Sequence, residues 1–213
     1  MFEDAIALHR DIVVPVHAGL KEEFGIPDTP EAACLSIAIA WQESGAKARD
    51  QGDPAILGPA TGKWQFERMG GVWEVLNDAR LKPISTVLCQ RVGVTPQPDP
   101  VWRLFASAEG DELACAFARL LIWKDPAALP AMVPASEQAA YDYYKRRWRP
   151  GADRRAAWAT SWRCGLAVVG GGAVSIPAAS DTAPAPPAPA LDVAVAEFDA
   201  AYGRLKVALR SDG

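Results

Sequence analysis

Hydrophobic positions recur every three or four residues along most of the chain, a spacing that is typical of amphipathic helices. In residues 2–24 this stripe comprises Phe2, Ile6, His9, Val13, Val16 and Leu20. Pro15 lies within the stretch and is expected to kink the helix, because proline cannot donate the backbone hydrogen bond. A second helix is predicted to begin after Thr29, with Thr29 as N-cap and Pro30 at the first position, and to end near Gly45.

The helical spacing is lost between Ser44 and Gly71, where Gly, Pro, Asp and Thr surround two short apolar pieces, Ile56-Leu57 and Trp64-Gln65-Phe66. This pattern predicts a loop with a small β-hairpin. Helical spacing then returns and predicts helices at 71–79, 83–92, 100–108, 111–124, 136–148 and 153–168. Residues 1–169 are therefore expected to form one mainly α domain with a small hairpin and loop region.

The composition changes sharply at residue 170. Residues 170–190 are rich in Gly, Ala and Pro and carry one charge, which indicates an extended linker. Residues 191–213 regain helical spacing, with a stripe formed by Leu191, Val195, Phe198, Tyr202, Leu205 and Leu209. A single amphipathic helix needs a surface to cover its stripe. We expect the 191–209 helix to dock on a protein partner or particle, or to pack back on its own domain.

Composition excludes several classes of function. The 213 residues are half apolar and have a net charge of −4, so the basic footprint of a nucleic-acid binder is missing. The four cysteines form no CxxC pair and are expected to be structural, and neither a metal nor a cofactor is predicted. No window approaches the ~18 apolar residues of a membrane span. The acidic N-terminus has no signal-peptide character, which predicts synthesis in the cytoplasm without an export signal.

Glu43 is the residue best placed for chemistry. Cleaving a glycosidic bond requires a carboxylic acid that stays protonated near neutral pH. Glu43 follows the apolar run Ala38-Ile39-Ala40-Trp41, and both burial and the negative end of a helix disfavour ionisation of a carboxyl group. A glutamate near a helix end is more often a solvated surface residue. The sequence segments around and after Glu43 favour a catalytic role for this residue instead.

Glu43-Ser44-Gly45, followed by Gly58 to Phe66, resembles the Glu-Ser and Gly/Gln signature of soluble lytic transglycosylases and goose-type lysozymes. Similarity to lysozyme-like proteins of tailed bacteriophages extends over about residues 35–165, through the segments 39–45, 62–67, 120–126 and 144–151. The resemblance implies a lysozyme-like α-rich fold, a peptidoglycan substrate, and use by a virus or prophage. It also implies that Glu43 is the catalytic acid and that Gln65 lines the sugar cleft.

Three further residues are candidate substrate contacts. Trp64 could supply a flat face for a sugar ring, although most of the eight tryptophans are expected in the core. Ser44 could donate a hydrogen bond in the cleft or at the end of the helix. Tyr144, or its neighbour Tyr143, is the counterpart of a tyrosine in the transglycosylase signature. The basic run 145–149 either attracts anionic groups of the cell wall or complements the helix dipole.

A second carboxylate decides the mechanism. A hydrolase needs one to activate water or attack the sugar, whereas a lytic transglycosylase can use groups of its own substrate. Asp50, Asp53 and Glu67 are available, and Asp53 is the best candidate, although Asp-Pro is also an ordinary turn initiator.

The sequence leaves three functions open. The first is peptidoglycan cleavage, by a lytic transglycosylase or a muramidase associated with a virion and acting on the bacterial cell wall. The second is a non-catalytic structural component of a phage or gene-transfer particle with a lysozyme-like fold. The third is a chitinase-like hydrolase on the same scaffold.

Overall fold

A computed structural model describes residues 2–47, 58–150 and 154–171, and these residues are mainly helical, as predicted. All of them lie within one compact unit. The α-helices are α1 (Glu3–Leu8), α2 (Val14–Phe24), α3 (Pro30–Ser44), α4 (Trp73–Asn77), α5 (Lys82–Arg91), α6 (Pro98–Leu104), α7 (Asp111–Lys124), α8 (Glu137–Trp148) and α9 (Arg155–Val169). Short 3-10 turns, Ala108–Gly110 and Pro134–Ser136, precede α7 and α8.

The kink expected at Pro15 takes the form of a wider turn. A π-helical segment, His9–Val13, joins α1 to α2, and the amide of Val14 donates to the carbonyl of His9. Pro15 has no N–H and its ring crowds the carbonyl four residues earlier, so one wider turn relieves the clash and the helix continues. The predicted apolar stripe is only partly confirmed: Val13 and Leu20 are fully or almost fully buried, whereas Ile6 is 51% exposed.

The central helix α3 follows its sequence signals closely. The Thr29 hydroxyl accepts from the amide of Ala32 at 3.3 Å, Pro30 occupies the first position, and Gly45 ends the helix in the left-handed conformation. Every residue from Ala32 to Ala40 is buried. The small side chains of this run let α9 lie close along it. Glu43 is therefore carried on a rigid, buried element.

The predicted hairpin is present but short. Strands β1 (Ala60–Thr61) and β2 (Phe66–Glu67) pair antiparallel, with Ala60 opposite Glu67 and Thr61 opposite Phe66. The turn contains Gly62 at φ 77°. A second π-helical segment, Arg68–Val72, has a kink at Gly70 and leads from β2 into α4. Ile56 and Leu57, the other apolar piece assigned to this region, lie outside the described residues.

The cysteines pack as expected, and seven of the eight tryptophans lie in the core or are partly buried against it. Burial raises the pKa of the Cys34, Cys89 and Cys164 thiols to about 12, and Cys115 is likewise buried. Four tryptophans are in the core, namely Trp64, Trp102, Trp158 and Trp162. Trp73 is 47% exposed. The cysteines behave as small apolar side chains.

A buried pair of basic side chains lies between α2 and α7. His17 is 1% exposed, and neither ring nitrogen has a hydrogen-bond partner among the described residues. Arg119 is 2% exposed and donates to the carbonyl of Pro27. Burial first, and the Arg119 charge second, lower the pKa of His17 to about 3. The Asp28 carboxylate, 3.9 Å from Nδ1, is more than one-third exposed and does not offset these effects.

The fold should lose stability in mild acid because of His17. Its pKa is 6.5 when exposed and about 3 in the fold, so between these values the unfolded chain binds more protons and stability falls as pH falls. We expect His17→Leu to remove roughly 2 kcal/mol of the stability difference between pH 7 and pH 4.5. Urea unfolding at both pH values measures this difference. If both proteins lose the same free energy of unfolding between pH 7 and pH 4.5, His17 is not the source of the acid sensitivity.

No helix in the described ranges combines the length and apolar character needed to cross a bilayer. The linker from residue 172 onward and the helix predicted at 191–213 lie outside the described residues, as do Asp50 and Asp53. Gly170 and Gly171, at the start of the predicted linker, end α9.

Candidate active site

Glu43 opens into a cleft of about 280 Å³ between the end of α3, the hairpin and the end of α8. The polar residues that line it are Glu43, Gln65, Glu67, Glu74, Arg147, Arg149 and Arg154. The apolar part of the cleft wall includes Phe66, Leu121 and Trp148. Carboxyl, amide and guanidinium groups beside apolar surface are the usual contents of a site for a polar organic ligand.

The Glu43 carboxyl is sheltered although it lines the cleft. Its side chain is 8% exposed, and burial raises its pKa above the usual range. The Tyr144 hydroxyl and the Arg154 guanidinium pull the pKa down, but burial has the larger effect. The charge of Glu67 also disfavours ionisation. Glu43 thus has the raised proton affinity that a general acid needs near neutral pH.

Tyr144 holds the Glu43 carboxyl in place. Its hydroxyl donates to Oε1 of Glu43 at 2.5 Å, a short hydrogen bond. The Tyr144 ring is fully buried and stacks on Trp158, with ring centroids 4.8 Å apart and planes 15° apart. Of the two tyrosines considered from the sequence, Tyr144 contacts the acid, whereas Tyr143 donates to the carbonyl of Ile122.

Arg154 is a neighbour of Glu43 that sequence reasoning missed. Its Nη1 lies 3.4 Å from Oε2 of Glu43, longer than a close ion pair, and its side chain is 38% exposed. Gln42 fixes the backbone here, because its Nε2 donates to the Arg154 carbonyl at 3.2 Å and its Oε1 accepts from Ser161 at 2.6 Å. The start of α9 is thereby held against the end of α3. Glu43 and Arg154 are 111 positions apart in the sequence, so no local signal indicates this contact.

Ser44 and Lys63 clamp the hairpin turn to α3. The Ser44 hydroxyl lies 2.7 Å from the Lys63 carbonyl and 3.1 Å from that of Ala40, and the Lys63 ammonium donates to the Ala46 carbonyl at 3.0 Å. Ser44 thus serves as the helix-end residue, the second of its two predicted roles. The clamp places Gln65, in the same turn, on the wall of the cleft that Glu43 also lines.

Gln65 has the geometry of a ligand-binding residue. It adopts a left-handed backbone conformation with φ 50°, which is strained for a residue with a side chain. It is 6% exposed, and its Nε2 donates to the Gly62 carbonyl at 2.8 Å. Its Oε1 is buried without a hydrogen-bond partner among the described residues. A buried acceptor on a cleft wall is stabilised when a ligand donates to it.

The prediction that Trp64 offers an exposed face to sugars is wrong. Trp64 is 0% exposed, and its indole nitrogen donates to the carbonyl of Ser36 in α3 at 3.0 Å. Its own carbonyl accepts from the Trp148 indole at 3.0 Å. Trp64 lies in the turn between β1 and β2, and its ring packs inward against α3, where the indole N–H finds a hydrogen-bond acceptor. Trp148 lines the cleft instead.

Two further carboxylates line the cleft with Glu43: Glu74, which pairs with Arg147, and Glu67. Glu67 lies on β2, its side chain is exposed, and it has no ion-pair partner in the part of the chain that the structure describes. The Glu67 side chain lies close to Gly70, since a Cβ added at Gly70 would be 3.2 Å from Oε2 of Glu67. Asp53, the preferred second carboxylate from the sequence, lies outside the described residues, so its prediction stays open.

Removing the Tyr144 hydroxyl should shift the pH dependence of any reaction that uses protonated Glu43. That hydroxyl lowers the pKa of Glu43, so Tyr144→Phe raises the pKa further, and Glu43 stays protonated to higher pH. The alkaline limb of the profile of kcat/KM should therefore move to higher pH. Tyr143→Phe is the matched control, because it removes a buried hydroxyl of the same helix that bonds to Ile122. An unchanged limb in Tyr144→Phe would contradict this role of Glu43.

A second groove, of about 190 Å³, lies between α2, α5 and α7. Its lining is mostly apolar, and two of its charged residues, Glu23 and Arg91, pair with each other at 2.6 Å. It lacks a sheltered carboxyl group of the kind found at Glu43. Across the described ranges, no group of three or more His, Cys, Asp or Glu side chains is arranged to hold a metal ion.

Comparison with known proteins gave no relative that could identify this site: no protein-family model, no curated protein and no solved structure matches the chain.

Proposed function

We propose that this protein cleaves the glycan strands of peptidoglycan, with Glu43 as the general acid. The observation that carries the proposal is the Glu43 carboxyl: buried enough to have a raised pKa, yet on the wall of a polar cleft. Glycosidic bond cleavage needs such a group to protonate the leaving oxygen. The choice of peptidoglycan rests on the sequence resemblance to phage lysozyme-like proteins and lytic transglycosylases.

The arrangement around Glu43 supports this chemistry. A long helix ends at the acid, a glycine-containing hairpin forms the adjoining wall, and a tyrosine from a distant helix bonds to the carboxyl. We propose on this basis that the helical domain is lysozyme-like. The buried Oε1 of Gln65 is suited to accept a hydrogen bond from a hydroxyl or acetamido group of a sugar.

Association with a virion is a further part of the proposal. It rests on the predicted linker at 170–190 and on the amphipathic spacing at 191–209, which would dock the enzyme on a particle that acts on the cell wall.

Glu67 favours hydrolysis over transglycosylation. A hydrolase keeps an ionised carboxylate in the cleft, apart from the protonated acid, to activate water or attack the sugar. Glu67 is exposed to solvent, while the side chain of Glu43 is sheltered. Two carboxyl groups in such different environments are the arrangement that separates an acid from a base.

Glu67→Gln should therefore lower the rate of hydrolysis by about 10²-fold or more, since the second carboxylate takes part in the chemical step. Glu22→Gln, on the exposed face of α2, is the matched control for the loss of one carboxylate. The measurement is the rate of reducing-end formation from soluble glycan strands. Unchanged activity in Glu67→Gln would show that another group, such as Asp53 or the substrate itself, takes this role.

Release of dye from labelled, purified sacculi tests the proposed function as a whole. We expect the full chain to release soluble dye from sacculi and to act much more slowly on labelled chitin. Preference for chitin would assign a chitinase-like substrate. Circular dichroism verifies that the protein used is folded and helical. If such protein releases dye from neither material, the proposal of glycan cleavage is overturned in favour of a structural role.

A further inference from the structure

The basic run 145–149 at the end of α8 contains one arginine that the fold leaves available. Lys145 lies over the Tyr141 ring, Arg146 pairs with Asp125 at 2.8 Å, and Arg147 pairs with Glu74 at 2.6 Å. Arg149, in contrast, is exposed and has no hydrogen bond or ion pair from its side chain within the described ranges. It also lines the cleft that contains Glu43.

The backbone conformation at Arg149 is constrained by its neighbours. Arg149 ends α8 in the left-handed conformation, with φ 48° and ψ 52°. This conformation is strained for a residue with a side chain, and glycine usually occupies this position at the end of a helix. The Trp148 indole is tied to the Trp64 carbonyl on one side, and Pro150 restricts the backbone on the other. Among the described residues, three that are not glycine have positive φ, and two of these, Gln65 and Arg149, line this cleft.

The charges of the cleft favour an anionic ligand. Its arginines are Arg147, Arg149 and Arg154, and its acids are Glu43, Glu67 and Glu74. When Glu43 is protonated, positive charges outnumber negative ones by one, although the chain as a whole carries −4. Arg147 pairs with Glu74, and Arg154 lies beside Glu43. Arg149 is the guanidinium of the cleft whose side chain has neither a hydrogen bond nor an ion pair among the described residues, so it is available to a ligand.

We propose that Arg149 binds a carboxylate of the peptide that substitutes the glycan strand, and so makes the enzyme select strands that carry peptides. This inference rests on the proposed function, because it concerns the substrate of the same cleft. A guanidinium group recognises a carboxylate through two parallel hydrogen bonds, which provide direction as well as attraction. A neutral sugar backbone offers Arg149 no such partner.

Equilibrium binding tests this proposal without catalysis. Full-length protein with Glu43→Gln is titrated with soluble, phosphate-free glycan oligomers that either carry their peptides or have been stripped of them by an amidase. We expect peptide-bearing oligomers to bind about tenfold more tightly, as for one exposed charge-assisted contact. Adding Arg149→Gln should reduce the difference to less than twofold, whereas adding Arg163→Gln, an exposed arginine of α9 outside the cleft lining, should leave it at tenfold.

The outcomes separate the two proposals. Equal binding of both oligomers by the parent protein, or a tenfold difference that survives Arg149→Gln, would overturn the role of Arg149 and leave glycan binding intact. Binding of neither oligomer would overturn the proposed function together with this inference. Loss of the peptide preference in Arg149→Gln alone would establish Arg149 as a residue that determines specificity.

Discussion

Glu43→Gln is expected to lower kcat for glycan cleavage by about 10²- to 10⁴-fold, the usual contribution of a general acid. Glutamine has the size of glutamate and keeps an oxygen that can accept from Tyr144, but it has no proton to give to the leaving sugar. The free energy of unfolding should change by less than about 1.5 kcal/mol, because the shape and this hydrogen bond are preserved.

Initial rates on soluble glycan strands, together with urea unfolding, measure both quantities. Glu22→Gln, on the exposed surface of α2, is the control and should retain full activity. A Glu43→Gln protein that is stably folded and still cleaves at more than a tenth of the original rate would exclude Glu43 as the acid.

Gly165→Ala is expected to destabilise the fold by about 3 kcal/mol, the upper part of the range for inserting a methyl group into a closely packed interior. Gly165 lies where α9 packs on α3, and an added Cβ would stand 2.5 Å from the Cys34 carbonyl oxygen and 3.1 Å from its Sγ. The carbonyl belongs to a buried helix and cannot turn aside, so the two helices must separate.

Gly19→Ala is the matched control for this substitution. Gly19 lies within α2, and an added Cβ there meets nothing within 4 Å. Alanine has a higher helix propensity than glycine, so this variant should be stabilised by about 0.5–1 kcal/mol. Urea unfolding of both proteins provides the comparison. A Gly165→Ala protein as stable as the parent would show that α3 and α9 are not in close contact at this position.

The helices were predictable because their signals are local. Thr29, Pro30 and Gly45 mark the ends of α3, and periodic apolar residues mark the helices that follow the hairpin. The π-helical segment before Pro15 could not be foreseen, because a kink and a wider turn are alternative responses to the same missing N–H. Their relative energies depend on what the helix packs against.

The site was predictable only where a motif carried it. Glu43, Gln65 and Tyr144 came from the sequence signature, and they line the cleft or contact the acid. The prediction for Trp64 was wrong because the direction of an aromatic side chain in a tight turn depends on how the turn packs, here against α3, and no local sequence signal shows this. Arg154 was missed because tertiary packing of α9 on α3 brings it to Glu43.

The measurement that tests the central proposal most directly is mass spectrometry of the fragments that the full chain releases from purified sacculi, run beside Glu43→Gln. We predict that the unaltered protein releases fragments with reducing ends formed by hydrolysis, and that the variant releases at least 10²-fold less of these fragments. Anhydro-sugar ends would keep Glu43 as the acid and remove the role given to Glu67. If folded, unaltered protein releases no glycan fragments while a control muramidase does, the proposal that this chain cleaves peptidoglycan is contradicted.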